Sequence, residues 1–259
     1  TTMHKDYFVV KGLSGKRKLS GQIKVNGAKN AALKAMAASI LFGDSVKLGN
    51  MPLIEDVSRA ADLLPELGAS VARDGRSFFI DTANISSGDL SGEISKRLRA
   101  SIVFSGPLLA RSGKVSFPHP GGCVIGERPI DLFLDGFKKM GAKISEEKDG
   151  EKMRYAVSSG ARRKLRGAEI FFKIQSVTGT ETFMMAGVLA EGETVIKNAA
   201  MEPEIPALAE FLNRCGAKIE GAGTPTVKIK GGGLLFAKGE FFKVPPDRIE
   251  AGSFLILAA

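Results

Sequence analysis

The chain has 259 residues, 44% hydrophobic and 25% charged, with a formal net charge of +9. Such a composition supports a sizeable folded core and excludes a disordered chain, while the longest apolar runs, 35–42 and 183–190, fall well short of the roughly 18 residues that span a bilayer. The positive balance calls for an anionic partner; with no Trp and only two Tyr there is no basic and aromatic surface on which bases stack, so the reading is small phosphorylated ligands, with no nucleic acid and no membrane.

Residues 1–11 are too polar for a signal peptide. The two cysteines, Cys123 and Cys215, stand in unlike contexts, which speaks against a disulfide and for a cytoplasmic location. Neither the cysteines nor His4 and His119 have the spacing of metal ligands, and His119 reads as a surface residue.

In chain order, the first helical pattern runs from Asn30 to Phe42, with Leu33, Met36, Ala37, Ile40 and Leu41 on one apolar face. A second, amphipathic pattern, Val57 to Leu67, ends at Gly68-Ala69 and is followed by the alternating Ser70-Val71-Ala72. This two-helix unit recurs. Arg99 to Ala110 is paired with Ile130 to Met140, which ends at Gly141-Ala142, and Thr180 to Ala190 is paired with Ile205 to Cys215, which ends at Gly216-Ala217. Glycine at that place predicts a helix C-cap. Cys215 then takes the last apolar position of its helix, where Leu67 and Met140 stand in the other units, and reads as core. Three such units predict an α/β fold with a pseudo-threefold axis; a linear solenoid is the alternative. The final stretch, Glu250 to Ala259, repeats the opening of the first helix of a unit, so the expectation is a truncated chain.

The openings of the first helices are basic: Lys29 before Asn30, Lys96-Arg97-Leu98-Arg99, and Lys173 ahead of Ser176-Val177-Thr178-Gly179-Thr180. Positive side chains at a helix N-terminus oppose the macrodipole by roughly 0.3–1 kcal/mol each unless an anion sits there. The plainer reading takes Asn30 and Thr180 as N-caps and the basic groups as solvated surface. Between the helices of the second unit lies Pro120-Gly121-Gly122-Cys123-Val124-Ile125-Gly126, followed by Glu127-Arg128-Pro129-Ile130-Asp131. Three glycines in six residues rule out a helix or a central strand. Cys123 thus rides on a loop near Arg128, which favours its thiolate and suits a nucleophile or a proton donor; a small buried hydrophobe is the other reading.

These segments, with Gly27-Ala28-Lys29-Asn30-Ala31-Ala32, Leu98-Arg99-Ala100-Ser101-Ile102, Glu202-Pro203-Glu204-Ile205 and Pro246-Asp247-Arg248-Ile249-Glu250, resemble the UDP-N-acetylglucosamine 1-carboxyvinyltransferases, an enolpyruvyl transferase family, along the whole chain. The resemblance implies an inside-out α/β barrel of three-unit domains. Residues 29–244 would form one complete domain, with the cysteine loop at about 118–131, while 1–28 and 245–259 would belong to an incomplete second one. It also implies transfer of the enolpyruvyl group of phosphoenolpyruvate to the 3-hydroxyl of UDP-N-acetylglucosamine with release of phosphate, the first committed step of peptidoglycan synthesis, with no cofactor. By the same resemblance Cys123 is catalytic, Lys29, Asn30 and Arg128 bind phosphoenolpyruvate, and Arg99, Arg128, Pro129, Ile130, Asp131, Leu132, Ser176 and Val177 bind the nucleotide sugar. The general base and further arginines would lie in the missing second domain, so the isolated chain is expected to be inactive. Thr178, where the family usually has Gly, and Met201, where Arg is common, depart from the pattern and bear on nucleotide contact. The sister family, the 3-phosphoshikimate 1-carboxyvinyltransferases, shares the fold without this cysteine loop, and a non-catalytic UDP-sugar-binding module is the reading from another class.

Overall fold

The computed structural model describes residues 20–90, 101–118, 130–149, 152–161 and 164–259, with Val9, Lys11 and Gly15. The chain order is α1 (Lys29–Ala38) with a 3₁₀ turn (Ser39–Leu41), β1 (Val46–Gly49), α2 (Glu55–Glu66), β2 (Ser70–Asp74), β3 (Ser77–Asp81), α3 (Ile102–Ser112), β4 (Lys114–Pro118), α4 (Asp131–Lys139), β5 (Lys143–Asp149), β6 (Lys152–Ser158), β7 (Glu169–Phe171), α5 (Val177–Val188), β8 (Glu193–Lys197), α6 (Glu204–Arg214), β9 (Ile219–Glu220), β10 (Thr226–Lys230), β11 (Phe241–Lys243) and α7 (Arg248–Ala258).

One unit, helix–strand–helix–hairpin, is therefore used three times, beginning at α1, α3 and α5. The strand pairing shows how the copies join. After its hairpin, each unit lends an extended segment to the first strand of the next: Asp89 pairs in parallel with Ser116 of β4, β7 pairs in parallel with β8, and β11 returns to pair in parallel with β1. The third unit thus closes on the first, which makes a ring and overturns the solenoid alternative. The resulting sheets run β11-β1-β3-β2, β4-β6-β5 and β7-β8-β10-β9.

Helices fill the centre and sheets face outward, as an inside-out barrel requires. In α1, residues 31–38 are all buried, and α3 and α5 are buried over 103–110 and 179–188. Two glycines let these elements approach. A Cβ on Gly106 of α3 would stand 2.4 Å from the Thr182 carbonyl oxygen of α5, and one on Gly136 of α4 would stand 2.1 Å from the Phe183 ring. Phe183 also packs against Phe133, Phe137 and Phe172. Outer helices bury one face only: Val57, Ala60, Leu63 and Leu64 in α2, and Ile205, Leu208, Ala209, Phe211 and Leu212 in α6. Arg111 of α3 joins the first two units by donating to the carbonyls of Ile40, Phe42 and Thr82 at the end of the first.

The expected glycine caps are present in all three units. Gly68, Gly141 and Gly216 have φ of 97°, 84° and 107°. Ala69, Ala142 and Ala217 donate their N–H to the carbonyls of Leu64, Phe137 and Leu212, the six-to-one bond of a Schellman motif. Cys215 lies in the core, 6% exposed, as Leu67 and Met140 do in their units. The expected start of α5 at Thr180 is three residues late, because Ser176 caps the helix by accepting from Gly179 N–H at 3.0 Å. Thr180 is interior instead, and its Oγ1 accepts from Ala200 N–H at 3.0 Å. Asn30 is likewise no N-cap: it is the second residue of α1, whose N-cap is Ala28 and has no capping side chain.

Candidate functional site

The starts of six helices lie along one contiguous rim, joined by side-chain contacts. Lys29 Nζ of α1 meets Asp56 Oδ2 of α2 at 3.1 Å. Lys29 N–H donates to Asp247 Oδ2, the cap of α7, at 3.3 Å. Arg248 of α7 donates twice to the Glu204 carboxylate of α6, both at 3.4 Å. Thr180 of α5 holds Ala200, just ahead of α6. Leu132 of α4 covers Gly179 in the first turn of α5, where an added Cβ would meet Leu132 Cδ2 at 2.8 Å.

Charge differs sharply between the two sets of helices. No acid stands in the first turn of α1, α3 or α5. By contrast, α2 opens with Glu55 and Asp56, α4 with Asp131 and α6 with Glu204. On the rim, Asp247 accepts from Lys29 N–H of α1 and Ser176 from Gly179 N–H of α5, but neither helix carries an acid in its own first turn, so the positive end of each dipole still favours a phosphate or carboxylate there. Lys29 is half exposed and its pair with Asp56 is solvated on both sides, so the ion pair holds the ammonium with less than about 1 kcal/mol and leaves it accessible to a stronger anion. Ser176 Oγ accepts from Gly179 as a cap and keeps its O–H as a donor to a ligand oxygen.

Of the residues expected at the site, the structure brings together Ile130, Asp131, Leu132, Ser176 and Val177 at the starts of α4 and α5, and places Lys29 and Asn30 at the start of α1 on the same rim. Cys123, Arg99, Arg128 and Pro129 lie outside the described residues. Asp56, Asp247, Glu204 and Arg248 are rim residues that the sequence alone did not single out for a role. For Glu204, Asp247 and Arg248 a signal existed, since Glu202-Pro203-Glu204 and Pro246-Asp247-Arg248 were recognisable segments; the partnership of Asp56 with Lys29 left none.

The rim is open. The cleft beside Asn30 and Glu204, bounded by Ala28 and 245–249, holds only about 70 Å³, far below the roughly 300–1,000 Å³ of a site that encloses a small molecule. Leu53, Ile174, Met201 and Ile249, 56%, 83%, 48% and 57% exposed, stand in the segments that enter these helices or in their first turn. The helix starts therefore border an open surface that mixes charged groups with exposed apolar side chains.

Comparison with known proteins gives a consistent result. Residues 13–259 match the family described as EPSP synthase (3-phosphoshikimate 1-carboxyvinyltransferase). Among curated relatives, a UDP-N-acetylglucosamine 1-carboxyvinyltransferase of Campylobacter hominis is 48% identical over 95% of the chain and 57% of its own length. The one numbered 2 from Carboxydothermus hydrogenoformans is 44% identical over 94% of the chain and 56% of its own length. The chain therefore spans a little over half the length of these relatives. Among solved structures, the enolpyruvyl transferase NikO from Streptomyces tendae superposes with a TM-score of 0.75 at 21% identity, covering 93% of the chain and 55% of that structure. EPSP synthase from Acinetobacter baumannii gives 0.69 at 19% identity, covering 91% and 52%; at these identities the likeness is one of fold.

Proposed function

The chain belongs to the EPSP synthase family of enolpyruvyl transferases, and from that premise we propose that it is the cysteine-bearing part of a UDP-N-acetylglucosamine 1-carboxyvinyltransferase. The reaction is transfer of the enolpyruvyl group of phosphoenolpyruvate to the 3-hydroxyl of UDP-N-acetylglucosamine with release of phosphate, at the entry to peptidoglycan synthesis. The observation that carries this reading is the identity of 43–48% to relatives of that name, against 19–21% to the solved NikO and EPSP synthase structures.

On this reading the rim has two parts. The start of α1, with Lys29 and Asn30, takes the phosphate and carboxylate of phosphoenolpyruvate, with Lys29 exchanging its solvated Asp56 partner for the ligand. The adjoining starts of α4 and α5, with Ile130, Asp131, Leu132, Ser176 and Val177, take the uridine nucleotide, together with Arg99, Arg128 and Pro129. Cys123 serves either as the nucleophile that adds to the carbon bearing the phosphate or as the acid that protonates the methylene carbon. In both routes a tetrahedral, phosphate-bearing intermediate forms, and Lys29 and the arginines stabilise its charge.

Residues 29–244 form the complete domain in this account, and 1–28 with 245–259 belong to a second one. The support is that residues 26–28 and 245–247 run side by side, joined by Ala28 N–H to Pro245 O at 2.8 Å, Asp247 N–H to Asn26 O at 2.8 Å and two bonds from Asn26 to Glu250. The next helix, α7, has no buried residue, so its Leu255, Ile256 and Leu257 are surface for that second domain to cover. No helix among the described residues is long and apolar enough to cross a membrane, and the cytoplasm is the proposed compartment.

The test is calorimetric titration of the chain with UDP-N-acetylglucosamine and, separately, with shikimate 3-phosphate, beside an assay of phosphate release. Binding of the nucleotide sugar alone, without turnover, is expected. Preference for shikimate 3-phosphate would favour the sister activity, and turnover matching a full-length relative would refute the need for a second domain.

A further inference from the structure

Behind the rim lies an ion pair that no assigned role accounts for. Lys34 Nζ of α1 meets Glu181 Oε2 of α5 at 3.1 Å, with side chains 6% and 0% exposed. Lys29–Asp56, Arg248–Glu204 and the pairs on the outer helices each keep at least one partner well solvated. Among the described residues, neither Glu181 oxygen has a well-aligned hydrogen-bond donor, so Lys34 balances its charge without satisfying its lone pairs. A pair buried in this way costs several kcal/mol of desolvation per ion and does little for stability; what it can do is fix the register of the elements that carry it.

Those elements are the two inner helices whose starts form the proposed anion sites. Lys34 is five residues after Lys29 on α1, and Glu181 is five residues after Ser176 at the cap of α5. We infer that Lys34 and Glu181 are positioning residues, which lock the start of α1 to the start of α5 so that the phosphoenolpyruvate and nucleotide parts of the rim keep one spacing. The inference rests on the function proposed above for its ligands, though not for the mechanical coupling itself.

Burial pushes the Glu181 carboxyl up to about 7, against the pull of Lys34 and with the help of Glu204 and Glu202. Among the described residues these are the charged groups that act on it, and Glu204 is itself held by Arg248. The lock is therefore sensitive to pH near neutrality. A carboxyl raised from 4.5 contributes stability that is present in full below pH 4.5 and is lost as pH rises through about 7, whereas the ionic lock is made only when Glu181 is charged, above about 7.

The experiment follows backbone amide NMR shifts of the chain for residues 29–31 and 177–179, with thermal unfolding and UDP-N-acetylglucosamine titration in parallel, in Glu181→Gln, Lys34→Met and the double variant Lys34→Met/Glu181→Met. The expectation is that each single variant moves the amides at the start of both helices. The wild-type shifts should titrate with a midpoint near 7, and that titration should vanish in Glu181→Gln. Nucleotide-sugar affinity should fall about 2- to 30-fold, the range of couplings carried by a packed network. The double variant, with both charges replaced by apolar groups of similar size, is expected to fold at least as stably as the wild type and to show the same loss of affinity, which keeps the test decisive if a single variant fails to fold. Conservative Lys34→Arg should restore both the amide shifts and the affinity. Amide changes confined to the helix that carries the mutation, with the pH titration retained in Glu181→Gln, would overturn the inference. If the wild-type chain binds no UDP-sugar, the functional proposal falls while the amide shifts still decide this one.

Discussion

The three units differ most in the step from the first strand to the outer helix. In the first and third units this step is short, 50–54 and 198–203, and is built the same way. Asn50 and Asn198 turn the chain in the left-handed region, at φ of 57° and 54°, and each donates its side-chain amide at 2.8 Å to the carbonyl that follows the neighbouring strand, Val244 or Phe172. Asn is the non-glycine residue best suited to that conformation, and its amide closes the turn. In the second unit the same step takes 119–130 and holds the glycines and Cys123. The ring tolerates the difference because the surrounding strands and inner helices are complete without it. On the function proposed above, a connection that is a tight structural turn in two units carries the chemistry in the third.

The sharpest way to break this comparison is through the two thiols, one in each kind of environment. Burial pushes the Cys215 thiol from 9.0 up to about 11, so at pH 7 its thiolate is scarcer than that of an ordinary cysteine by about 100-fold. Iodoacetamide at pH 7 should label Cys123 first and leave Cys215 unmodified until the protein unfolds, as peptide mass spectrometry would report; equal rates would place Cys123 in the scaffold as well. Next in size is Asn198→Ala, which loses a hydrogen bond and puts a Cβ with no compensating amide in the left-handed region. Urea unfolding should show a loss of about 2 kcal/mol, with Asn198→Gly recovering about half. The smallest expected effect is that of replacing 119–130 with the sequence of 50–54. If the loop is an addition to the scaffold, stability should change by less than about 1 kcal/mol; a loss of several kcal/mol would show that the loop holds the ring together.

Much of the scaffold was legible because it depends on local pattern repeated at a distance. The glycine after each outer helix, the apolar stripes and the core position of Cys215 all follow from residues within a few positions of one another. The start of α5 was misread because Ser176 and Thr180 are both good capping residues, and only the packing of Ala200 against Thr180 decides which one is interior. The ring closure also depends on distance, since β11 and β1 pair across most of the chain. The site was legible in part: the basic and hydroxyl residues at helix starts stood out, while their partners did not. Asp56 looks like any first-turn acid until the fold sets it beside Lys29, and Lys34 sits between the apolar positions Leu33 and Met36 with nothing local to reveal its buried partner.

The most direct measurement grafts the chain into a full-length carboxyvinyltransferase relative in place of the matching segment and follows phosphate release from phosphoenolpyruvate. Release that requires UDP-N-acetylglucosamine, is absent with the chain alone and is lost on Cys123→Ser is the predicted result. A graft that folds and binds the nucleotide sugar yet releases no phosphate, or one that turns over undiminished with Cys123→Ser, would contradict the account.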